Sequence, residues 1–591
     1  MLESTTHSEP IIYKSFFPSL KLEFSGLFSH LFRNKESLDD SPAYIDAISG
    51  ITLTRAQVHD QSLRLACGVR KHGLKRDDVA MIFSPNSLAW PIVLLGSIAA
   101  GVKATLANTS YTTSELAHQI RDSNTRLVFV HPTLLSTLEK TLNHLRIPAH
   151  EIRKKVVIMS YTPQDEVDEK EAGIGKEWAR LKDFLSVGKL VGEERFDGSD
   201  SLSTVLLCYS SGTTGLSKGV ETTHRNILTV LQIFKPAFYD YDAKKDVSGA
   251  VLPFYHIYGV VQLLFFAIHT GIPTVIMPRF EPELFLSTTQ RYRITILKIV
   301  PPIILFMNTH PMVDNYDLSS IRYVMSAAAP LGAGPSNNLI ARLKAKGCNE
   351  IVLTQAFGLT ETSPATHLVP PKWSTKKIGS CGALLPNLEA RLVDDDGNDV
   401  IKPSAGGASA MDPENDGRGE LWIRGPSVMK GYLHNPAATA NSITRDGWFK
   451  TGDVAIRDED GFYYIVDRKK ELIKYKGSQV PPAELEAVLL TKEDILDVGV
   501  VGIQSVHEGE ELPRAYVVSK RNGELLKDKS AQKAYELEVQ EWIKSRVAKH
   551  KWLRGGVVVI EAVPKSAAGK ILRRHLRDLA RKETEQIRGK L

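Results

Sequence analysis

The sequence has little cysteine, and its cysteines lie far apart. Among 591 residues there are four, at Cys67, Cys208, Cys348 and Cys381, and no two form a CxxC pair. This spacing argues against a disulfide framework and against a cysteine zinc site. It is typical of a protein in a reducing compartment.

Long apolar runs are also missing. Residues 90–102 are apolar, but a membrane-spanning helix needs about 20 such residues. The second run, residues 259–277, is interrupted by Gln262, His269 and Pro273. We predict that both are buried core elements. The first ten residues, MLESTTHSEP, contain no apolar run, so we expect no secretory signal and a soluble intracellular protein.

The chain carries no strong excess of either charge. Its 74 Lys and Arg residues against 68 Asp and Glu residues give a net charge of +6, with 42% hydrophobic and 24% charged residues. These ordinary globular values exclude a disordered, collagenous or membrane-embedded protein and do not by themselves favour a nucleic-acid partner. The length suggests roughly three to four domain-sized units.

Short β-branched runs alternate with helical patterns over the first two thirds of the chain. We predict strands near 79–83, 125–130, 155–159, 204–208, 274–277 and 321–326, and helices at 55–72 and 335–346. This rhythm predicts an α/β fold with largely parallel sheets. After residue 378 we predict an antiparallel, barrel-like segment with turns at 394–397 and 458–461 and a loop at 402–419.

The chain changes again at Asp467. From there we predict a helix at 483–490, strands at 498–503 and 514–519, and a long amphipathic helix at 531–549. A basic tail follows. These features predict a division into residues 1–466 and 467–591.

The most informative motif is YSSGTTGLSKGV, residues 209–220. It follows an apolar strand, and it combines glycines, hydroxyl side chains and a lysine, which together can surround a polyphosphate. It is not a Walker A loop, because that pattern needs Gly directly before Lys, whereas Ser217 precedes Lys218 here.

Three further segments are weaker when each is considered alone. QAFGLTET, residues 355–362, supplies Glu361, a hard carboxylate suited to Mg²⁺. KTGD, residues 450–453, supplies Asp453, which can accept both hydroxyls of a ribose. PKSAAGKILRR, residues 564–574, places Lys570 on a turn of small residues, from which it can stabilise developing negative charge. Each is also compatible with an ordinary surface turn.

In this order, the four motifs resemble those of the AMP-forming acyl-CoA synthetases of the adenylate-forming superfamily, in the branch of the 4-coumarate–CoA ligases and firefly luciferases. The resemblance covers nearly the whole chain and includes LPFYHIYG at 252–259, SAAAPLG at 326–332, GELWIRGPSVMKGY at 419–432 and DRKKELIKYKGSQVPPAELE at 467–486. It implies a large N-terminal domain of two αββ-type subdomains plus a small β-barrel, followed by a smaller, mobile α+β lid domain that carries Lys570.

The resemblance also implies roles for individual residues. ATP phosphates would be held by Ser210, Ser211, Gly212, Thr213, Thr214 and Lys218. The adenylate would contact Ala328, Gln355, Ala356, Thr360, Asp453, Arg468, Lys470, Lys474 and Gln479. Glu361 would ligate Mg²⁺, and Lys570 would be the adenylation lysine. Asp467 matches the hinge, and Arg279, Lys476 and Gly477 match positions that contact CoA. Family members often have Gly at the position of Ala356 and Lys at that of Arg279.

The implied reaction has two steps. A carboxylate attacks the α-phosphorus of ATP to give acyl-AMP and pyrophosphate, and the CoA thiol then displaces AMP. Rotation at Asp467 would replace Lys570 with the face of Lys474 and Gln479 between the steps. Two alternatives stay open: an adenylating enzyme that loads a carrier protein or acts like luciferase, and a catalytically inactive binding protein.

The acid-binding residues implied by the resemblance are His256, Tyr258, Ala327 and Ala365. In the ligases specific for hydroxycinnamates, Gly is common at the position of Ala327 and Val at that of Ala365. Ala327 would therefore narrow the acid pocket at one wall, and Ala365 would widen it at another. We therefore expect an aromatic or a medium-to-long aliphatic acid, without a commitment to one compound.

The last three residues, Gly589, Lys590 and Leu591, resemble the peroxisomal import tripeptide SKL, with Gly in place of Ser. We expect peroxisomal import through a receptor for this signal, with a chance basic tail and a cytoplasmic protein as the alternative.

Overall fold

The computed structural model describes residues 10–33, 39–210, 217–400, 417–475, 478–504, 511–566 and 569–588. In these ranges the strands, numbered in chain order, are β1 Tyr13–Lys14, β2 Pro42–Asp46, β3 Thr52–Thr54, β4 Val79–Phe83, β5 Lys103–Leu106, β6 Leu127–Val130, β7 Val156–Ile158, β8 Ala179–Arg180, β9 Thr204–Ser210, β10 Lys218–Thr223, β11 Ser248–Ala250, β12 Thr274–Ile276, β13 Ile296–Ile299, β14 Tyr323–Ser326, β15 Val352–Gly358, β16 Ala365–Leu368, β17 Gly382–Leu384, β18 Glu389–Val393, β19 Gly419–Arg424, β20 Gly431–Tyr432, β21 Phe449–Arg457, β22 Phe462–Arg468, β23 Ile473–Tyr475, β24 Ser478–Val480, β25 Ile495–Gln504, β26 Glu511–Ser519 and β27 Val557–Val559.

The α-helices of the same ranges are α1 Leu27–Leu31, α2 Arg55–Lys71, α3 Ala89–Ala99, α4 Thr113–Asp122, α5 Leu135–His144, α6 Ala149–Lys155, α7 Pro163–Glu171, α8 Leu181–Ser186, α9 His224–Phe234, α10 Ile257–Gly259, α11 Phe266–Thr270, α12 Pro282–Arg291, α13 Pro301–Thr309, α14 Ala333–Ala345, α15 Pro436–Ser442, α16 Pro482–Leu489, α17 Asn522–Leu525, α18 Lys529–Lys544 and α19 Arg573–Arg588. A π-helical turn, Val260–Phe265, joins α10 to α11.

Two large sheets form the N-terminal part. The first has the order β20-β10-β9-β5-β4-β6-β7-β8, and the second has the order β1-β18-β19-β21-β22-β17-β16-β15-β14-β13-β11-β12-β2-β3. In the first sheet the parallel strands are β9, β5, β4, β6, β7 and β8. In the second sheet they are β15, β14, β13, β11, β12 and β2. Their apolar composition follows from burial on both faces. The predicted α/β class and parallel sheets are confirmed.

The segment after residue 378 is antiparallel, as its short strands and turns predict. Strands β17, β22, β21, β19 and β18 pair antiparallel in succession, and residues 458–461 form the turn between β21 and β22. This set is continuous with the second large sheet through β16 and β15. The predicted loop at 402–419 lies largely outside the described residues, and its last residue, Gly419, begins β19.

The two apolar runs of the sequence are core elements. Every residue of α3 is buried, and so is each residue of the π-helical turn. None of the helices in the described ranges combines the length and the hydropathy that crossing a bilayer requires.

The C-terminal part has its own core. Apolar residues between Ile473 and Val559 pack as a separate cluster, around the three-stranded sheet β25-β26-β27. The long helix α18 ends at Lys544, five residues before the predicted end, because the last buried apolar residue of its pattern is Ile543. Strand β22 continues to Arg468, so the predicted boundary at 466 falls within a strand.

Candidate active site

The ends of three adjacent parallel strands form one wall of a cleft. Pro301 and Pro302 follow β13, Ala328 follows β14, and Gln355 and Ala356 belong to β15; all five line a cleft of about 260 Å³. The carboxyl ends of parallel strands meet at one edge of a sheet, where α/β proteins commonly bind ligands.

The opposite wall comes from the end of β22 and from the C-terminal part of the chain. Asp467, Arg468 and Glu471 lie beside Ala483 of α16 and Lys570 in this wall. The cleft therefore lies between the two parts of the chain, and it brings together residues from motifs more than 200 positions apart.

Lys570 reaches the cleft from a tight turn. The Lys570 N–H donates to Ser566 Oγ at 3.2 Å, and the Ser566 N–H donates to the Lys570 carbonyl at 2.8 Å. Gly569 adopts φ +77°, and a Cβ there would lie 3.0 Å from Pro302. Burial and the Arg468 charge lower the pKa of Lys570, whereas Asp453, Glu361 and Glu471 act in the opposite direction.

Asp453 and Arg468 are partners across the antiparallel strands β21 and β22. Arg468 Nε lies 3.4 Å from Asp453 Oδ1, and Asp453 is only 4% exposed. Burial raises the pKa of Asp453 to about 6, although the charges of Arg468 and Lys570 oppose this rise. A buried carboxylate between two cations is suited to accept hydrogen bonds from a polar ligand.

Gln355 has a clear structural role. Its side chain accepts from the Leu331 N–H at 3.2 Å and donates to the Leu331 carbonyl at 3.0 Å. These bonds fix the loop that carries Ala328, a non-glycine residue at φ +73°.

Thr360 begins a 3₁₀ turn, Thr360–Thr362, next to the cleft-lining residue Leu359.

The structure adds a residue that the motifs did not single out. Tyr432 of β20 donates a hydrogen bond from its hydroxyl to Glu361 Oε1 at 2.9 Å, and the Lys218 ammonium lies 4.8 Å from the centre of its ring. Tyr432 therefore connects the lysine of the Gly-rich motif to the predicted metal ligand. Tyr432 is visible in the sequence within GYL at 431–433. Its contacts with Glu361 and Lys218 depend on the pairing of β20 with β10, which the sequence does not show.

The ends of the Gly-rich motif are held in place. Ser210 and Lys218 pair across the β9–β10 hairpin, and His118 Nε2 lies 2.8 Å from the Ser217 carbonyl oxygen. Ser211, Gly212, Thr213 and Thr214 lie outside the described residues.

His256 precedes α10 as its N-cap, and its Nδ1 accepts from the Tyr258 N–H at 3.4 Å. Burial, together with the charge of Lys570, lowers the pKa of His256 to about 4, so the imidazole is neutral near pH 7. Tyr258 is buried on the same short helix. Ala327 is partly buried after β14, and Ala365 is buried at the start of β16.

Other predicted residues lie apart from the cleft. The side chains of Arg279, Lys470 and Lys474 are exposed, and none of the three lines the cleft. Lys474 pairs with Gln479 in the β23–β24 hairpin. Lys476 and Gly477 lie outside the described residues, as does the side chain of Gln479. Their assigned roles stay predictions.

A buried cluster of charged residues around Arg573 was not predicted from the sequence. Arg573 donates to both carboxylate oxygens of Glu486 at 2.9 Å and lies 3.3 Å from Glu471. Asp467 accepts from the Ala483 N–H at 2.9 Å. Burial raises the pKa of Glu486 to about 7 against the effect of Arg573. Within PKSAAGKILRR, Arg573 looked like part of a basic surface.

Comparisons with known proteins agree with this arrangement. The family model described as AMP-binding enzyme matches residues 31–433, and its C-terminal domain model matches residues 484–570. The chain is 34% identical to 4-coumarate–CoA ligase 1 of Arabidopsis thaliana, over 97% of this chain and 96% of the relative. It is 35% identical to 4-coumarate–CoA ligase 2 of Nicotiana tabacum, over 98% of each chain.

A solved structure shows the same fold. The chain superposes on an anthranilate CoA ligase in complex with anthranoyl-AMP with a TM-score of 0.80, 21% identity, and coverage of 95% of this chain and 98% of that one. The fold and family predicted from the motifs are confirmed: the chain belongs to the AMP-binding enzyme family of the adenylate-forming superfamily.

Proposed function

We propose that this chain is an ATP-dependent acid–thiol ligase, which activates a carboxylic acid as acyl-AMP with release of pyrophosphate and then transfers the acyl group to CoA. The observation that carries the proposal is the placement of Lys570 in one cleft with Asp453 and Arg468. The ligase names of relatives that match over nearly the whole chain support it.

The first step joins two anions, so the site must neutralise charge. The carboxylate oxygen attacks the α-phosphorus, the bond to the β-phosphate oxygen breaks, and pyrophosphate leaves. Lys570 and Arg468 supply positive charge on one side of the cleft, and Lys218 supplies it at the Gly-rich loop. Such fixed cations stabilise the charge that develops during phosphoryl transfer. Asp453 would orient the ribose by accepting its hydroxyls.

Glu361 is the residue that would hold Mg²⁺. Its carboxylate is buried, and Tyr432 fixes one of the carboxylate oxygens. Carboxylate oxygens are hard ligands, which Mg²⁺ prefers. Bound Mg²⁺ would neutralise part of the triphosphate charge.

In the second step, the CoA sulfur attacks the acyl carbon, and the bond between that carbon and the AMP oxygen breaks. We propose that the C-terminal part first turns at Asp467, so that Lys570 leaves the cleft and the Lys474–Gln479 hairpin replaces it. Arg279, Lys476 and Gly477 would then contact CoA. The exposure of Lys474 and Arg279 in the present arrangement supports this order of events.

Product analysis tests the proposal. The protein would be incubated with ATP, Mg²⁺, CoA and a panel of benzoates, cinnamates, phenylacetates and C6–C18 acids. We expect AMP, pyrophosphate and one or more acyl-CoA products. ADP with orthophosphate would contradict the reaction, and acyl-AMP that persists in the presence of CoA would favour the carrier-loading or luciferase-like alternative.

The Lys570→Ala variant tests the role of the lysine. Loss of one preorganised hydrogen-bond donor to a developing charge typically slows a reaction about 10²–10³-fold. We therefore expect the rate of acyl-AMP formation to fall by that factor or more. Thiolation of supplied acyl-AMP should fall much less. Equal pyrophosphate release by variant and parent would remove this assignment.

We also propose that the protein is imported into peroxisomes through Gly589, Lys590 and Leu591. The support is the resemblance of this tripeptide to the import signal; its residues lie outside the described ranges. A fluorescent fusion that ends in the native tripeptide should be punctate, and deletion of the tripeptide should make it diffuse. A punctate pattern that survives deletion would reject the signal.

A further inference from the structure

Three cations of the hairpin that carries Lys570 line the cleft, and two of them are neutralised. The three are Lys565, Lys570 and Arg573. Lys565 Nζ lies 2.8 and 2.7 Å from the two carboxylate oxygens of Asp497, and Arg573 donates to both oxygens of Glu486. Within the described ranges, Lys570 has no carboxylate at ion-pair distance. Only Lys570 therefore keeps its charge available for a ligand, so the other two cations serve another purpose.

The two arms of this hairpin are bonded to each other. Lys565 and Ile571 form an antiparallel β-bridge, and the Leu572 N–H donates to the Pro564 carbonyl at 2.8 Å. The turn between the arms carries Lys570. Contacts that hold the arms therefore also fix the position of Lys570 in the cleft.

Strand β25 supports both arms at close range. A Cβ at Gly499 would lie 2.6 Å from Leu576, 3.3 Å from Val563 and 3.4 Å from Ile571. A side chain at this position would therefore displace the hairpin and the helix that follows it. Asp497 lies two residues before Gly499, and side chains two positions apart in a strand point to the same face. The hairpin thus packs on the face of β25 from which Asp497 reaches Lys565.

The Asp497 side chain has a defined orientation. Its Oδ1 accepts from the Val498 N–H at 3.0 Å. The register of β25 against β26 shifts between Ile495 and Asp497, and bulges of this kind re-aim side chains. The side chains of Lys565 and Asp497 are 19% and 24% exposed, so water competes only partly with their ion pair.

The two ion pairs bind opposite arms of the hairpin to different elements. Lys565 precedes the turn and is bound to β25 through Asp497, whereas Arg573 follows the turn and is bound to α16 through Glu486. A hairpin held at both arms resists tilting, but one held only through Arg573 can pivot about that residue. Such a pivot would displace the ammonium of Lys570, and a misplacement of about 1 Å can slow a reaction about 10²-fold.

From these contacts we propose that Lys565 and Asp497 are positioning residues, which act through Lys570 by fixing the hairpin in the orientation that directs its ammonium into the cleft. This inference rests on the proposed function, because it concerns the step that forms acyl-AMP. The pair supplies no net charge to the reacting groups, since each side chain neutralises the other.

Asp497→Asn and Lys565→Met separate positioning from direct contact with the substrates. Both break the ion pair with little change in size. We expect both to lower kcat for acyl-AMP formation about 10- to 100-fold, with KM for ATP within about twofold of the parent. If Lys565 instead bound a substrate anion directly, Asp497→Asn would free its ammonium, and only Lys565→Met would lose activity. That result would overturn the inference.

The second step of the reaction supplies an internal comparison. In the proposed mechanism Lys570 has left the cleft before CoA attacks, so thiolation of supplied acyl-AMP should stay within about twofold of the parent in both variants. Lys565→Arg can again give two hydrogen bonds to the carboxylate, and it should keep acyl-AMP formation within about threefold of the parent. Equal slowing of both steps would mean that the pair only supports the fold, which overturns the inference.

A Lys570→Ala background shows whether the pair acts through the lysine. Single-turnover formation of acyl-AMP would be measured for Lys570→Ala with and without Asp497→Asn. We expect the second substitution to slow the reaction by no more than about twofold, because residues that act as a unit have non-additive effects. A further loss of about tenfold would show an effect independent of Lys570 and would overturn the inference.

Lys551→Met is the matched control. Lys551 lies 2.6 and 2.8 Å from the two carboxylate oxygens of Glu484 in the same part of the chain, and neither residue lines the cleft. This ion pair is the more deeply buried of the two. A loss of rate that merely followed lost stability would therefore be at least as large in Lys551→Met as in Asp497→Asn, and such a result would overturn the inference. We expect the parental rate in Lys551→Met.

The outcomes also separate this inference from the proposed function. A parent that gives no AMP and pyrophosphate with any acid contradicts both. A parent that forms acyl-AMP, together with an Asp497→Asn variant that forms it within about twofold of the parental rate, overturns the inference alone. If Lys565→Met does not fold, Asp497→Asn decides, since it changes the more exposed member of the pair.

Discussion

Asp453 and Arg468 face each other across β21 and β22 with 3.4 Å between carboxylate and guanidinium, and this pair forms part of the cleft that Lys570 enters. One residue of the pair precedes the predicted domain boundary and the other follows it. The pair thus links the two predicted parts of the chain at the cleft.

The pKa of Asp453, raised to about 6 by burial, predicts a pH dependence. Only the ionised carboxylate accepts both ribose hydroxyls, so kcat/KM for ATP should fall as the pH drops through 6. A single protonation predicts roughly a tenfold loss per pH unit well below the pKa. A pH series of initial rates at low ATP measures it.

The matched comparison for that series uses Asp→Asn substitutions. Asp453→Asn should raise KM for ATP and remove the acid limb near pH 6. Asp399→Asn, which breaks the ion pair of Asp399 with Arg391 away from the cleft, should keep both features of the parent. An unchanged acid limb in Asp453→Asn would assign that limb to another group.

Gly569→Ala should impair the first step. Gly569 has φ +77°, and a Cβ there would lie in tight contact with Pro302, at 3.0 Å. An L-residue costs about 1–2 kcal/mol in this conformation, which corresponds to about a 5- to 30-fold slower acyl-AMP formation if the turn opens and Lys570 moves. Gly523→Ala is the control, since nothing lies within 4 Å of its Cβ position. Parental rates in both variants would show that the turn tolerates the change.

Lys474→Ala should slow the second step of the reaction and spare the first, the reverse of what we expect for Lys570→Ala. Its side chain is exposed while Lys570 lies in the cleft, so acyl-AMP formation should stay within about twofold of the parent. Transfer to CoA from supplied acyl-AMP should fall about 10²–10³-fold, the typical cost of losing one preorganised hydrogen-bond donor. Lys520→Ala, exposed in the same part of the chain, is the control. A variant that loses acyl-AMP formation instead would contradict the proposed alternation.

Tyr432→Phe should weaken the use of Mg²⁺. The hydroxyl fixes one oxygen of Glu361, and loss of such support to a metal ligand typically costs about 10-fold or more in affinity. We expect the Mg²⁺ concentration for half-maximal activity, and for half-maximal thermal stabilisation by MgATP, to rise by about that factor. Tyr464→Phe, which loses a hydrogen bond to Asp458, should leave both concentrations unchanged.

Short loops that carry their chemistry within a few residues were readable from the sequence. Lys570, Asp453 and Glu361 each belong to such a motif, and the structure brings the first two into one cleft with Arg468. The alternation of strands and helices could be predicted because apolar residues recur at different spacings in strands and in helices.

Tyr432 and Arg573 were missed for a different reason. Each contacts a residue that is distant in sequence: Glu361 is 71 positions from Tyr432, and Glu486 is 87 positions from Arg573. Spacing along the chain does not predict these contacts, because they form only when distant strands and helices pack together.

The cleft lies between the large sheets and a C-terminal part that packs an apolar core of its own. Because that core is separate, the two walls can move apart without exposing the interior of either part. The free energy of such an opening is set by the contacts across the cleft and not by the larger free energy of global unfolding.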